Sequence, residues 1–361
     1  MAVYTMGVII SALLGFLYSR YRNFHKKSIF IKSFSNKIYR INIDLVKFIP
    51  MIPLAIIAGI RYGVGQDYFY TYVPVFNKVL LGEATKAWGD IGYTFLNILV
   101  AHYTDDYAGI FILTSCMFIY FTFKAIYEDS DSIPLSIILL VFMGYYFCFM
   151  NGVRQMLATS ILLFSIKYIK QRNIKKFFIC ILGASLIHLS ALIFIPVYFL
   201  YTIKWNNKTM IFSIICSYAL SSIFSKIMMW IISFTKYNWY LDSIYKAERG
   251  GIVMILINLA IFIFSILFNS DKKNEIYIKL QCLSVISMSL IGKVPVANRI
   301  QWIFGLSSII LLPNVIKSQK DKKMRIAITI LVLILYSIYF GYTIGIKNSN
   351  GVLPYRTIFS R

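Results

Sequence analysis

Hydrophobic positions in this chain neither alternate nor trace a single helical stripe. They run on in stretches long enough to cross a bilayer, and the polar residues are held in the gaps. A spanning helix needs about 20 apolar residues, fewer in a tight bundle. The runs 2–19, 44–60, 107–126, 133–150, 153–170, 209–229, 251–268, 275–292, 299–317 and 325–346 fit that description. Segment 91–103 is shorter and reads as a helix that stays on one side. No gap has room for a separate soluble domain and no internal repeat shows, so residues 1–361 read as one transmembrane domain.

The gaps set the direction of each run. Arg20, Arg22, Lys26, Lys27, Lys32, Lys37 and Arg40 follow the first run, with no basic residue before it and no cleavage signal. That is the pattern of a retained helix with its amino terminus outside. The positive-inside rule puts loops 20–43, 167–176, 269–279 and 317–325 inside, so the crossings between Lys176 and residue 269 must be even in number. Runs 209–229 and 251–268 supply two, so 176–204 supplies none or two. The simplest solution is a helical hairpin, 177–187 rising and 189–201 descending, with His188 at the turn. Each arm is about 20 Å long, short of the ~30 Å hydrocarbon core, which suits a re-entrant hairpin. One long helix through 177–203 is the alternative. The expected fold is therefore an all-α polytopic integral membrane protein of about 12 transmembrane or re-entrant helices. Segments 61–106 and 230–250 become outer loops. The inner side holds 24 basic and 7 acidic residues, the outer side 13 and 7.

Composition agrees. The mean hydropathy is +0.71, and 14% of residues are charged against about 25% in soluble domains. The net charge of +23 invites a nucleic-acid reading, but the basic residues sit in short loops where topology accounts for them. Cys116, Cys148, Cys180, Cys216 and Cys282 are scattered with no CxxC spacing and read as packing residues. There is no Walker loop, HExxH, GxSxG or acidic cluster, so the sequence points to chemistry without ATP hydrolysis, a metal or a cofactor.

Candidate chemistry lies at the outer ends of the runs. Arg61-Tyr62-Gly63-Val64-Gly65-Gln66-Asp67-Tyr68 sets an arginine and an aspartate at the mouth of a helix, with glycines that let the chain turn. Either the pair serves a ligand, or Arg61 snorkels and Asp67 caps it locally. Asn151 is a suitable N-cap that would put Arg154 in the first turn of 153–170. A cation there opposes the helix dipole and suits a bound anion; an arginine facing lipid headgroups is the plainer reading. Arg299 opens another outer helix end and could join the same site. His188, with Ser185 and Ser190 nearby, is either a satisfied core histidine or a proton acceptor. His25 and His102 carry no comparable signal. Outer loop 230–250 combines Trp230, Tyr237, Trp239, Tyr240 and Tyr245 with Lys236, Lys246 and Arg249, which suits sugar stacking or interface anchoring alike.

Taken in order, these elements resemble the EpsG family of polysaccharide polymerases, related to Wzy-type O-antigen and capsule polymerases. The resemblance rests on Arg61 to Tyr68 with Tyr72 and Phe76, Gly92-Tyr93 before Leu96-Asn97, and Val153-Arg154-Gln155 with Leu157-Ala158. It continues through His188-Leu189-Ser190-Ala191 ahead of Pro196 and Leu353-Pro354-Tyr355-Arg356. Gln66 stands where the family usually has threonine and Asp90 where it often has glutamate; Asp90 is given no catalytic role. The resemblance implies a GT-C-like bundle in the cytoplasmic (inner) membrane, working on its outer or periplasmic face. The implied enzyme is a glycosyltransferase that polymerises polyprenyl-diphosphate-linked oligosaccharide repeat units. His188 or Asp67 would be the base. Arg154, Arg61 and Arg299, with Gln155, Tyr68 and Tyr72, would bind diphosphate and sugar. The expected partners are the lipid-linked oligosaccharide, the bilayer, a chain-length regulator and a flippase, and not nucleic acid. A flippase for the same lipid, a glycan ligase and an O-acyltransferase are the competing readings.

Overall fold

In a computed structural model of the chain, the described residues are 1–24, 30–32, 38–40, 44–83, 90–234, 238, 241, 252–295 and 297–361. Helix α1 (Ala2–Phe24) is followed by a short antiparallel pair, β1 (Phe30–Lys32) and β2 (Ile38–Arg40). Pro50 and Pro53 then divide the 44–60 run into a 3-10 turn and an eight-residue helix, α2 (Ile52–Gly59). Next come α3 (Val73–Leu80), α4 (Ile91–Ala101), the long α5 (Ala108–Asp129), α6 (Ile133–Phe142) and α7 (Tyr145–Asn151). The last two are bent by 50°, with Gly144 between them at φ 91°. The central pair is α8 (Val153–Lys170) and α9 (Ile174–Ile187), followed by α10 (Val197–Leu200). Helices α11 (Asn207–Ala219) and α12 (Ser221–Ser233) bend by 70°. Then follow α13 (Ile252–Phe268), α14 (Glu275–Met288), α15 (Asn298–Gly305) and α16 (Ser308–Lys317), and the chain ends with α17 (Lys322–Phe340) and its π-helical extension.

The architecture is that of an all-α, multi-pass membrane protein, apart from the three-residue strands. Among the described residues, helices α1, α5 and α17 are each long and apolar enough to cross a bilayer, and the number rises to six if each of three bent pairs is one span. The remaining expected spans are shorter helices. Prolines interrupt 44–60, α14 stops after 14 residues, and α8 carries Arg154, Lys167 and Lys170.

Helix α8 is apolar or small on nearly every side, and a helix of that kind has to be enclosed. It is packed by α5, α7, α9 and α15, and its residues from Val153 to Ile169 are mostly buried. Its 18 residues separate two polar ends by about 27 Å. At the far end the basic loops gather. Lys170 pairs with Asp129 at 2.8 Å, Lys273 with Asp131 at 2.7 Å, and the Ser270 hydroxyl donates to the Ser318 carbonyl at 2.9 Å. The near end gathers 61–72, 90–93, 150–154 and the chain terminus. There the Gly65 N–H donates to Gly351 and the Tyr62 N–H to Arg356, both at 2.9 Å.

The chain does double back at His188. The Phe177 and Tyr198 rings lie 5.2 Å apart, although 21 helical residues would separate them by about 31 Å. The Arg172 guanidinium lies 4.4 Å from the Tyr201 ring and closes the base of the hairpin. Of the 230–250 aromatic set, Trp230 is exposed at the end of α12. Lys236, Tyr237, Trp239, Tyr240, Tyr245, Lys246 and Arg249 lie outside the described residues.

Two exposed serines test the two-ended arrangement. In a cysteine-free background, Ser270→Cys and Ser349→Cys are expected to react with an impermeant maleimide from opposite faces of the membrane. Labelling of both from one face would contradict it.

Candidate active site

The 61–72 segment is two-sided. Arg61 turns inward and is fully buried. Its guanidinium donates to the carbonyls of Ala58 and Met150 and lies 4.7 Å from the Phe111 ring and 5.7 Å from Phe149. Tyr68 follows it into the core, stacked on Phe111 at 4.1 Å, with its hydroxyl donating to the Arg61 carbonyl. The expected Arg61–Asp67 charge pair is therefore absent: carbonyls take the two terminal nitrogens of the arginine, ring faces flank it, and its Nε has no hydrogen-bond partner. Gly65, at φ 100°, lets the loop pass Met150, whose carbonyl oxygen would lie 2.6 Å from any Cβ. Beyond it Asp67 faces the other way. Burial raises the pKa of its carboxyl, while the charges of Arg299 and Arg154 pull it down.

Asn151 does not cap α8. It is the last residue of α7, and its side-chain oxygen instead accepts the Gln66 N–H at 2.6 Å and the Asp67 N–H at 3.4 Å. The capping task passes to Tyr72, whose hydroxyl accepts the Val153 N–H at 2.8 Å and donates to the Asn151 carbonyl at 2.9 Å. One tyrosine and one asparagine thus fix the loop carrying Asp67 to the first turn carrying Arg154.

At the centre is Asp90. It sits at the N-cap position of α4 but makes no cap bond with its side chain. Its Oδ2 accepts from Arg154 Nη1 at 2.7 Å and lies 3.4 Å from His188 Nδ1. A carboxylate at Nδ1 favours a proton on that nitrogen and leaves Nε2 as the basic one. His188 itself has extended backbone at the end of α9. The approach is close because Gly92 lets α4 meet α9: a Cβ there would lie 2.8 Å from the Leu186 carbonyl. Tyr93 adds an aromatic face 5.8 Å from the Arg154 guanidinium.

Arg299, in the first turn of α15, is near enough for its charge to act on Asp67, Tyr72 and His188. Gln155 holds it there by donating to the Arg299 carbonyl at 2.7 Å. The fold therefore brings together Asp67, Tyr72, Arg154, His188 and Arg299 from the sequence-derived set, with Gln155 supporting them. Arg61 and Tyr68 lie beneath, in the core. Asp90, Tyr93 and Asn151 join as residues that the sequence reading gave other roles or none. Asp90 was discernible as one of only 14 acidic residues in a chain of net charge +23, placed just before an apolar helix, where an acid needs a cation.

A buried acid, two arginines and a histidine at one end of a helical membrane bundle define an integral membrane protein with a charged polar site. The model of the EpsG family matches residues 44–357, nearly the whole chain, and the chain belongs to that family of polysaccharide polymerases. No curated relative and no solved structure matches.

Asp90→Asn leaves a mostly buried guanidinium without its anion and is expected to lower stability by about 3–5 kcal/mol. In the double variant with Arg154→Leu the loss should be clearly less than the sum of the two single losses. Thermal unfolding of the purified protein measures this, and strict additivity would rule the pair out as an energetic unit.

Proposed function

We propose that the protein is a membrane glycosyltransferase that polymerises polyprenyl-diphosphate-linked oligosaccharide repeat units into O-antigen, capsule or exopolysaccharide. It works on the extracytoplasmic face of the cytoplasmic membrane, without a metal ion, within a bundle of about 12 transmembrane or re-entrant helices of GT-C-like type. The single transmembrane domain would work alongside a flippase that delivers the units and a chain-length regulator. One observation carries the reading, given the family: Arg154 and His188 converge on a single oxygen of Asp90.

The reaction needs two services. The acceptor hydroxyl attacks the anomeric carbon of the donor glycan as the bond from that carbon to the diphosphate oxygen breaks. The hydroxyl proton passes to a base, and polyprenyl diphosphate departs with the electron pair. His188, oriented by Asp90, is our assignment for the base, with Asp67 the second candidate. Arg154 and Arg299 face the negative charge that grows on the leaving group. Arg154 is suited to this because only one of its nitrogens is engaged by Asp90, and a guanidinium has five N–H donors. Arg61 has a structural role in this scheme, as the buried tie beneath the site.

A deletion strain should display single repeat units, where a flippase defect would leave no exported glycan. Complementation with Arg154→Lys, which keeps a charge for Asp90 but loses the planar fork, should restore protein to the membrane with long-chain glycan reduced by about 100-fold or more. His188→Ala should behave alike. Arg61→Ala should instead lower the amount of folded protein. Normal chain length in the Arg154→Lys strain on a polysaccharide gel would refute the assignment.

A further inference from the structure

Beside the charged cluster lies a cavity of about 340 Å³ that none of Asp67, Asp90, Arg154 or His188 lines. Its floor is polar and deep. Gln301 lines it and is 1% exposed. Its amide nitrogen is placed by the Tyr145 hydroxyl at 3.1 Å, Asn258 Oδ1 at 3.2 Å and Ser284 Oγ at 3.3 Å. Its amide oxygen has no partner, and neither has the buried oxygen of Asn298, which lines the same space. Neither oxygen opens on the space, but Thr343, Ser349 and Asn350 line it as well and bring neutral polar groups to the wall.

Such groups can exchange hydrogen bonds with hydroxyls. Trp302, Tyr339 and Tyr342 supply aromatic faces. Among the described residues lining the cavity Lys347 is the one that is charged, and its ammonium lies 4.9 Å from the Tyr342 ring. Neutral amides with aromatic faces suit a ligand that is uncharged, hydroxyl-rich and apolar on its C–H faces.

The cavity and the charged cluster share walls. Helix α15 gives Asn298, Gln301 and Trp302 to the cavity, and between them comes Arg299, which acts on the cluster. The Trp302 ring would lie 3.2 Å from a Cβ at Gly152, two residues before Arg154. Asn350, on the cavity wall, accepts from Asn151 at 3.4 Å, and Asn151 holds the backbone of Asp67.

We infer that this cavity is a sugar subsite that takes uncharged residues of the glycan while the Asp90–Arg154–His188 cluster takes the diphosphate end. The inference rests on the polymerase reading and adds to it a separate place for the sugar.

The test is calorimetric titration of the purified full-length protein in nanodiscs. The probe is neutral oligosaccharide repeat units released from the wild-type strain's polysaccharide and freed of lipid and phosphate. The wild-type protein should bind them. Asn350→Ala and Tyr342→Ala, checked for a monodisperse elution peak, should weaken binding by about tenfold or more. Arg154→Lys should keep it, although polymerisation is lost. Four outcomes would overturn the subsite: no binding to the wild-type protein, equal binding to Asn350→Ala and Tyr342→Ala, loss in Arg154→Lys alone, or displacement of the sugar by polyprenyl phosphate. Long-chain glycan in the deletion strain would defeat the polymerase reading and leave the binding result standing by itself.

Discussion

A carboxylate enclosed in an apolar helical bundle is stable only beside a cation, and a cation at a helix N-terminus is stable only beside an anion. Asp90 and Arg154 answer each other on both counts at 2.7 Å. Asp90 is 6% exposed, and Arg154 lies where the unpaired N–H groups of α8 already make the surroundings positive. Neither placement would stand alone. Joined, they tie the start of α4 to the start of α8, and His188 brings the end of α9 to the same oxygen. Separation of α4 from α8 would strand two charges, and withdrawal of α9 would take His188 from its carboxylate, so the geometry of the cluster is built into the stability of the bundle.

Beneath this cluster a second buried charge does different work. Arg61 is wholly enclosed, yet among the described residues no carboxylate pairs with it. Its guanidinium meets backbone carbonyls of α2 and α7 and the ring faces of Phe111 and Phe149, so three elements are joined by one side chain. The terminal segment fastens the same loop from outside, through the bridge between Arg61 and Thr357 and the bond from Ile358 to the Ile60 carbonyl. Residues 61–68 thereby point two ways. Arg61 and Tyr68 anchor the loop, and Gln66 and Asp67 are left to face the cluster.

Much of this was readable from the chain alone. The apolar runs located the helices, and the parity of basic loops made the turn at His188 the simplest solution. A further step was within reach. Helices α8 and α9 are antiparallel about a tight turn at Arg172; Arg154 stands 18 residues before it and His188 16 residues after it. Residues nearly equidistant from such a turn lie at nearly the same height, within about 3 Å at 1.5 Å per residue. Other features were hidden for physical reasons. An arginine ending an apolar run looks the same whether it snorkels or turns inward, and Phe111 and Phe149, remote in sequence, decide the matter. Asn151 reads as a cap, but α7 continues through it and redirects its side chain. The aspartate at 90 looked like a weak substitute for glutamate, whereas the charge balance around Arg154 marks it as necessary. The number of full-length spans was not legible, because bends at Gly144 and at Pro50 and Pro53 leave hydropathy unchanged while cutting helix length.

The breaks themselves account for where the chemistry gathers. Backbone that leaves a helix carries unpaired polar groups, and in a membrane protein such stretches belong inside the protein or along a wet cavity. Here the 61–72 loop, the α7–α8 junction, the kink at His188 and the entry to α15 are brought to one end of the bundle. Each break supplies one group: Asp67, Arg154, His188 and Arg299. Every one of them is at most a few residues from a regular helix, which limits its freedom without a dedicated domain to hold it. The neutral side chains of the adjoining cavity differ in origin, since Gln301 and Trp302 stand on one face of a helix and Tyr339 on another. On the proposed division of labour, the groups facing phosphate are locked by charge pairing that a single substitution disrupts, whereas the cavity wall can change its amides and rings one at a time. Selectivity for the sugar could then alter while the machinery for releasing the diphosphate stays as it is.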